Sequence, residues 1–331
     1  ILFSGCATKV TMRGLEPAAV DKAAKSKKIA VVGFLNDTIS QSSQIESALA
    51  RFNLDNEPYF TVASRMDLKK ILQEQKFNQS GYIDKESQMD LGQMIGVEAI
   101  VSGEVNNIEL SRGQFQEGRT DTTQCVKTKK LDNGKITCLQ NRQYKVNCIR
   151  NNYSVNTTVK ILSVKTGEII YSDGFVEYSS GKLCADQNRA LPSLEAEATH
   201  LASKIATKFV KLITPSYYHY EVNVIESPDI EYSPQQEELF DAALEFLKVH
   251  RYDKSLVLTN RLISSTQNKS YVALYLKALI LEAQGELESA LQFYNEADQL
   301  TMEPVEDIDT ALSRVHINIQ KFKKASSQVK S

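Results

Sequence analysis

Few residues of this 331-residue chain stand in a spacing that predicts catalytic or metal-binding chemistry. Its four histidines are scattered and lack the spacing of metal ligands. The sequence also has no glycine-rich phosphate loop and no nucleophile elbow. We therefore expect no enzyme activity, no cofactor and no metal site. The histidines are His200, His219, His250 and His316.

Composition and charge exclude two further classes of protein, those that bind nucleic acids and those with membrane-spanning helices. The chain has 39 basic and 41 acidic residues, a net charge of -2, and no block of like charge stands out. We therefore expect no nucleic-acid partner. Apolar runs stay well below the roughly 20 residues that a membrane-spanning helix needs.

Four of the five cysteines can form disulfides if the chain is exported to an oxidising compartment. Residues 153–178 predict two strands joined at Thr166-Gly167. Pairing Lys165 with Glu168 places Cys148 opposite Ala185, so a one-residue bulge brings Cys148 to Cys184. Cys125 and Cys138 then pair across the turn at residues 132–134, although their register fits less well. Four free thiols are the alternative.

The fifth cysteine, Cys6, follows the small residues Ser4 and Gly5, and the segment resembles a bacterial lipobox. In that motif the cysteine is acylated and becomes the new N-terminus. Phe3 departs from the usual leucine, which here stands one place earlier. Residues 7–28 are polar and rich in alanine and lysine, which is typical of a tether. The alternative is a buried cysteine in an N-terminal strand.

Strands and helices alternate after this segment. The apolar run at residues 28–35 predicts a strand covered on both faces. Helices are expected around residues 45–52, from Ser64 to about Phe77, and from Asp84 to Gly96, followed by a second buried strand from Val97. This alternation is typical of an α/β layer.

A polar β-extension, a long amphipathic helix and a linker follow in order. Beyond Pro234 the pattern is helical throughout, with a repeat of about 35 residues. We therefore expect an α/β (α+β) domain with a mixed sheet, followed by an all-α helical repeat. The expected segments are the end of a signal peptide (1–5), a lipidated tether (6–27), the α/β domain (28–215, with its β-extension at 106–190), a linker (216–233) and the helical repeat (234–325).

The helical repeat resembles tetratricopeptide repeats, most closely at residues 285–300. The second copy matches better than the first, and two copies with a final helix make a small array. Such arrays offer a groove to other proteins or to secreted peptides. The alternative is a generic helical hairpin without a binding groove. The packing positions that we assign are Ala243, Tyr252, Ala278, Gly285, Ala290, Tyr294 and Ala297.

Residues 64–105 resemble the core of the CsgG family of envelope lipoproteins. Gly92 lies inside a helix, where glycine costs about 1 kcal/mol against alanine, so it suggests a close backbone approach. Arg65 and Glu74 are expected to form a fixed ion pair or an intersubunit contact, and a solvated pair that contributes little is the alternative. The matching positions are Arg65, Glu74, Gln75, Ser80, Gly81, Asp84, Leu91, Gly92, Gly103 and Glu104.

This resemblance implies a periplasmic domain that assembles into a homo-oligomeric ring. In the curli branch of the family, two hairpins per subunit also build a pore. The matching segment at residues 112–135 carries six basic residues and few apolar ones, so a non-conducting scaffold is favoured. We expect a lipid-anchored protein on the periplasmic face of the outer membrane, for example in a flagellar motor ring. A secretion channel for curli-type subunits is the alternative, and an LpoB-like activator of cell-wall synthesis is a weaker one.

Overall fold

The computed structural model describes residues 8–63 and 85–330. Within them the strands are β1 Lys9–Glu16, β2 Lys28–Val31, β3 Asn53–Leu54, β4 Glu57–Pro58, β5 Thr61–Val62, β6 Ala99–Lys130, β7 Ile136–Ser163, β8 Ile169–Cys184 and β9 Ser216–Asn223. The helices are α1 Asp21–Lys25, α2 Gln41–Arg51, α3 Lys85–Ile95, α4 Leu194–Ile213, α5 Pro234–Lys248, α6 Tyr252–Ser265, α7 Tyr271–Gln284, α8 Leu287–Asp298 and α9 Glu306–Val329.

The chain divides into two compact units. Ser26–Ile213 forms one of them, which we call the sheet unit. The residues up to Lys25 combine with those from Thr214 onwards into the other, which we call the helical unit. The predicted fold class, a mixed sheet with helices followed by an all-helical region, is confirmed.

The sheet unit is built on one five-stranded sheet in the order β5-β2-β6-β7-β8. β2 runs parallel to β5 and β6, whereas β6, β7 and β8 are antiparallel. The predicted apolar strand is β2, whose Ile29, Ala30 and Val31 are at most 1% exposed because both faces of the sheet are covered.

Helices cover the two faces of this sheet. On one face Ala30 and Ile100 pack with Leu91 of α3. On the other, Val155 of β7 packs with Leu201 of α4. The predicted helix ending at Gly96 is α3, and Gly96 adopts a φ of +67° as its C-terminal glycine. The helix expected after Ser64 lies outside the described residues.

The helical unit contains five long helices and a two-stranded ribbon. β1 pairs antiparallel with β9, from Lys9 opposite Asn223 to Glu16 opposite Ser216. One face of the ribbon, with Val10 and Met12, packs into the same apolar core as α5, α7, α8 and α9.

The presence of this ribbon contradicts two predictions made from the sequence. Residues 6–27 were expected to form a tether without strands, yet residues 9–16 are β1 and residues 21–25 are α1. Residues 216–233 were expected to form a linker, yet residues 216–223 are β9. The physical reason is burial: Val10, Met12 and Val222 are 2–3% exposed, and that burial against the helices outweighs the polarity of the neighbouring residues.

Candidate functional site on the disulfide-stapled hairpin

The feature that distinguishes the sheet unit is the length of its hairpin. β6 and β7 contain 32 and 28 residues and stay paired from Ala99 opposite Ser163 to Lys130 opposite Ile136. The predicted turn joins them: Gly134 has a φ of +79°, and its N–H donates to the carbonyl oxygen of Leu131 at 2.9 Å. β8 pairs with β7 as far as Cys148, so the base of the hairpin has three strands and its outer part has two.

The register decides which side chains of the outer hairpin share a face, because directly opposed residues point the same way. One face mixes apolar and charged groups, namely Phe115, Glu117, Arg119 and Asp121 opposite Cys148, Val146, Tyr144 and Arg142. The other face is mostly amides and hydroxyls, namely Gln114, Gln116, Gly118 and Thr120 opposite Ile149, Asn147, Lys145 and Gln143. Neither face forms a continuous apolar stripe.

The first of the two predicted disulfides joins β7 to β8. Cys148 and Cys184 are opposed directly, with Cα atoms 3.9 Å apart, and both are at most 2% exposed. The N–H of Ala185 donates to Asn147 in the neighbouring pair, so the cysteines occupy the close, non-hydrogen-bonded position of the ladder.

The register behind this disulfide differs in detail from the one that we expected. Ser163, rather than Lys165, pairs with Glu168 at the turn. The one-residue bulge does exist, between Ile161 and Leu162, and it sets Cys184 opposite Cys148.

The second disulfide, Cys125–Cys138, joins β6 to β7 near the turn, with Cα atoms 5.8 Å apart. Both residues are exposed. The misfit in their sequence register is resolved by irregularities of the ladder between Asp121 and Thr128. The structure therefore contains both predicted bonds.

A charge network surrounds the buried disulfide. Glu117 accepts hydrogen bonds from Lys182 at 2.8 and 3.0 Å and forms an ion pair of 3.0 Å with Arg119, which also donates to Asp186 at 2.9 Å. The hydrogen bonds from Lys182 and Arg119 lower the pKa of the Glu117 carboxyl. Glu117 also lies 3.4 Å from the sulfur of Cys184. Because that sulfur is bonded to Cys148, the three residues do not offer the thiolates that a metal site needs.

The family-motif residues are only partly described. Arg65, Glu74, Gln75, Ser80, Gly81 and Asp84 lie outside the described residues. The close approach predicted at Gly92 is present, since a Cβ there would collide with the side chain of Val164. Gly103 is packed as tightly, against the carbonyl oxygen of Thr158 and the ring of Phe34. Glu104 accepts a hydrogen bond from Asn36 at 3.2 Å. These contacts are architectural.

Most of the helical packing positions predicted from the repeat are buried. Ala243, Ala278, Ala290, Tyr294 and Ala297 are 0% exposed, whereas Tyr252 is partly buried at the start of α6. Gly285 ends α7 with a φ of +84°. The assignment to tetratricopeptide repeats stays a prediction.

A buried carboxylate in this unit was missed by the sequence analysis. Glu282 of α7 is bound by Arg314 of α9 and by the hydroxyl groups of Tyr220 and Tyr294. The available signal was Glu282 itself, an acidic residue within residues 272–283, which are apolar apart from it and Lys277. The four histidines lie on different elements, His200 on α4, His219 on β9, His250 after α5 and His316 on α9. Within the described ranges, no helix has the length and hydropathy to cross a membrane.

Comparison with known proteins identifies the class of the sheet unit. Residues 15–179 match the family model described as "Curli production assembly/transport component CsgG". The chain therefore contains a CsgG-family domain, which confirms that part of the predicted resemblance. No curated protein matches the chain significantly.

Three similar solved structures have low sequence identity with this chain. Lipoprotein GNA1162 from Neisseria meningitidis is 11% identical, with 55% of this chain and 97% of that chain covered and a TM-score of 0.28. The LpoB C-terminal domain from Salmonella enterica is 13% identical, with 48% and 95% covered and a TM-score of 0.27. A PelC dodecamer from Paraburkholderia phytofirmans is 12% identical, with 60% and 96% covered and a TM-score of 0.22.

Proposed function

We propose that this chain is a non-enzymatic lipoprotein of the bacterial envelope that assembles into an oligomeric ring or scaffold. The observation that carries the proposal is the CsgG-family domain at residues 15–179. That family is described by assembly and transport in curli production, which is work done in the envelope. Cys6 attaches the protein to the periplasmic face of the outer membrane, as the lipobox-like residues before it suggest.

The described charge clusters support a structural rather than a catalytic role. Glu282 is fully enclosed by Arg314 and two tyrosine hydroxyls. Glu117 is bound by two cations on the hairpin. Both carboxylates are engaged in ion pairs, whereas a general base has to be free to exchange protons.

The two disulfides support an exported, oxidised location. Disulfides form and persist in oxidising compartments such as the periplasm. Cys125–Cys138 ties the two strands of the hairpin together, and Cys148–Cys184 ties its base to β8, which suits a rigid contact arm. Such an arm fits a ring whose subunits touch each other or a neighbouring machine.

A secretion channel is the second candidate, because the family description names transport. A strand that faces lipid needs apolar side chains at every second position over about 9–11 residues. On the outer hairpin, one face carries Glu117, Arg119 and Asp121 at successive positions, and the other carries Gln114 and Gln116. A charged side chain near the bilayer midplane costs about 2–4 kcal/mol. The hairpin composition therefore favours a ring that does not conduct.

Lipid attachment is tested first, by mass spectrometry of the mature N-terminal peptide. We expect a diacylglyceryl group on Cys6. An unmodified thiol with residues 1–5 still attached contradicts the lipoprotein assignment.

Assembly is tested with purified lipidated protein by electron microscopy and in planar bilayers. We expect symmetric multi-subunit particles that pass no steady current. Discrete channel openings that disappear when residues 112–150 are deleted favour the secretion channel instead. A monomer in the presence of lipid contradicts both candidates.

The helical unit is proposed to bind other envelope proteins or secreted peptides. Part of its helical surface is already occupied, since Tyr275 of α7 donates to the backbone oxygen of Asn223 of β9 at 2.9 Å. A partner must therefore use a helix face that the ribbon leaves uncovered. Pull-down with the full chain and with a variant altered at exposed α5 and α6 residues tests this point.

A further inference from the structure

The end of the hairpin carries a concentrated positive charge. We call residues 122–145 the hairpin tip. The tip has six basic residues and one acidic residue, a net charge of +5 in a chain whose net charge is -2. On β7, Arg142 lies opposite Asp121, so the charge is concentrated in the four lysines nearest the turn. All seven charged side chains of the tip are exposed. They are Lys127, Lys129, Lys130, Lys135, Arg142 and Lys145, with Asp132 as the acid.

The same tip exposes apolar side chains. Ile136 is 73% exposed, Val126 61% and Leu139 53%, and Leu131 and Tyr144 are about two-fifths exposed. Leu131 and Ile136 flank the turn at the extreme end of the hairpin. Exposed aliphatic groups clustered in this way mark an interaction surface rather than a solvated loop.

The tip is also held in one shape. The Cys125–Cys138 bond ties its two strands together, and hydrogen bonds close the turn between Leu131 and Lys135. A surface fixed in advance loses less conformational entropy when it binds.

We propose that the hairpin tip docks on an anionic lipid surface. The lysines lie at the headgroup phosphates, and Leu131 and Ile136 enter the boundary between the headgroups and the acyl chains. An anionic lipid surface complements both the charged and the apolar side chains of the tip. Each lysine near such a membrane contributes about 1 kcal/mol to binding, and burial of the aliphatic groups adds to it. A nucleic acid or an acidic protein surface complements the charge alone. The docking is peripheral and does not depend on the proposed lipidation or ring assembly.

The experiment uses the full chain with Cys6→Ser, which has no lipid anchor. The protein contains no tryptophan, so Ile136→Trp supplies a single reporter at the tip. Vesicles are made of phosphatidylcholine, either alone or with about one quarter phosphatidylglycerol. We expect a blue shift of tryptophan emission and co-sedimentation with the anionic vesicles, both weakened by added salt.

Charge reversal provides the matched comparison. Lys127→Glu, Lys129→Glu and Lys130→Glu together should weaken partitioning into the anionic vesicles by about 100-fold or more. The control carries Lys204→Glu, Lys211→Glu and Lys269→Glu, which change the net charge equally at exposed positions outside the tip. Circular dichroism and disulfide mapping establish that both variants fold.

Four outcomes overturn the proposal. The first is equal binding to both kinds of vesicle, and the second is equal loss in the two triple variants. The third is an unshifted emission from the reporter at position 136 while the protein still sediments with vesicles. Displacement from vesicles by a soluble polyanion such as heparin, without any blue shift beforehand, assigns the tip to a polyanion and likewise overturns it. Because Cys6 is absent throughout, none of these results bears on lipidation.

Discussion

The guanidinium of Arg314 donates two hydrogen bonds of 2.8 Å to the carboxylate of Glu282. Glu282 is 1% exposed as a residue, and its side chain is 0% exposed. The pair joins α7 to α9, and the hydroxyl group of Tyr220 connects it to β9. One buried carboxylate thus binds together three elements that are far apart in the sequence.

Replacing Glu282 with glutamine should destabilise the helical unit strongly. The amide keeps the shape but leaves the Arg314 charge buried without a counter-ion, which costs about 3–5 kcal/mol. Denaturant unfolding followed by circular dichroism measures the loss. Glu288→Gln is the control, because the exposed Glu288–Lys323 pair should contribute less than about 1 kcal/mol. Equal effects of the two substitutions contradict the central role of Glu282.

The buried tyrosines should make the helical unit sensitive to alkali. Burial, with the nearby Glu282 carboxylate as the second cause, raises the pKa of Tyr220 and Tyr294, and burial raises the pKa of Tyr275. The folded state therefore favours the protonated phenols. Their contribution to stability is complete below about pH 10 and is lost as the pH rises through the raised values.

Tyrosinate absorbance should show these three residues ionising only together with the loss of helical circular dichroism. Tyr275→Phe removes one late-ionising group and is the internal check. If every one of the 14 tyrosines ionises near pH 10 while the helices persist, the prediction is wrong.

Gly103→Ala should destabilise the sheet unit by about 1–3 kcal/mol. The added methyl group meets backbone as well as the Phe34 ring, and the backbone has no room to yield. Gly118→Ala is the matched strand control, since a Cβ there meets nothing within 4 Å. Thermal unfolding of the two variants compares them, and a larger loss for Gly118→Ala contradicts the prediction.

The two disulfides should differ in how readily a reductant reaches them and in how much they stabilise the fold. Cys125–Cys138 is exposed, whereas Cys148 and Cys184 are buried, so limiting reductant should open the outer bond first. Cys148→Ser with Cys184→Ser should cost more stability, about 4 against about 3 kcal/mol, because the bond spans 36 rather than 13 positions. Peptide mapping and denaturant titration measure the two effects. Earlier reduction of the buried bond is the contrary result.

The sequence was most informative where neighbouring residues determine the structure. The apolar run of β2, the glycine at the end of α3 and the turn before Lys135 all follow from local rules. The disulfide pairing followed from strand register, although Ser163 rather than Lys165 pairs with Glu168 at the turn.

Structure that depends on distant partners was not predicted. β1 shows only Val10 and Met12 as alternating apolar residues, and its partner β9 lies about 200 positions away. Nothing in the sequence indicates that Glu282 is paired with Arg314. Six basic residues were counted at 112–135, but the positive tip was not recognised, because only the pairing of β6 with β7 shows which of them lie next to the turn.

Because β1 and β9 are far apart in the sequence, they can pair only late in synthesis and export. β1 emerges early, but β9 and the helices that cover it emerge only after the whole sheet unit. Non-local contacts form only when both segments are present. The contiguous sheet unit can therefore fold while β1 is still unpaired. A chain that stops before Glu306 lacks α9 and leaves Val10 and Met12 without part of their covering. The covering of β1 is therefore complete only once α9 has been made, although β1 itself is made before the sheet unit.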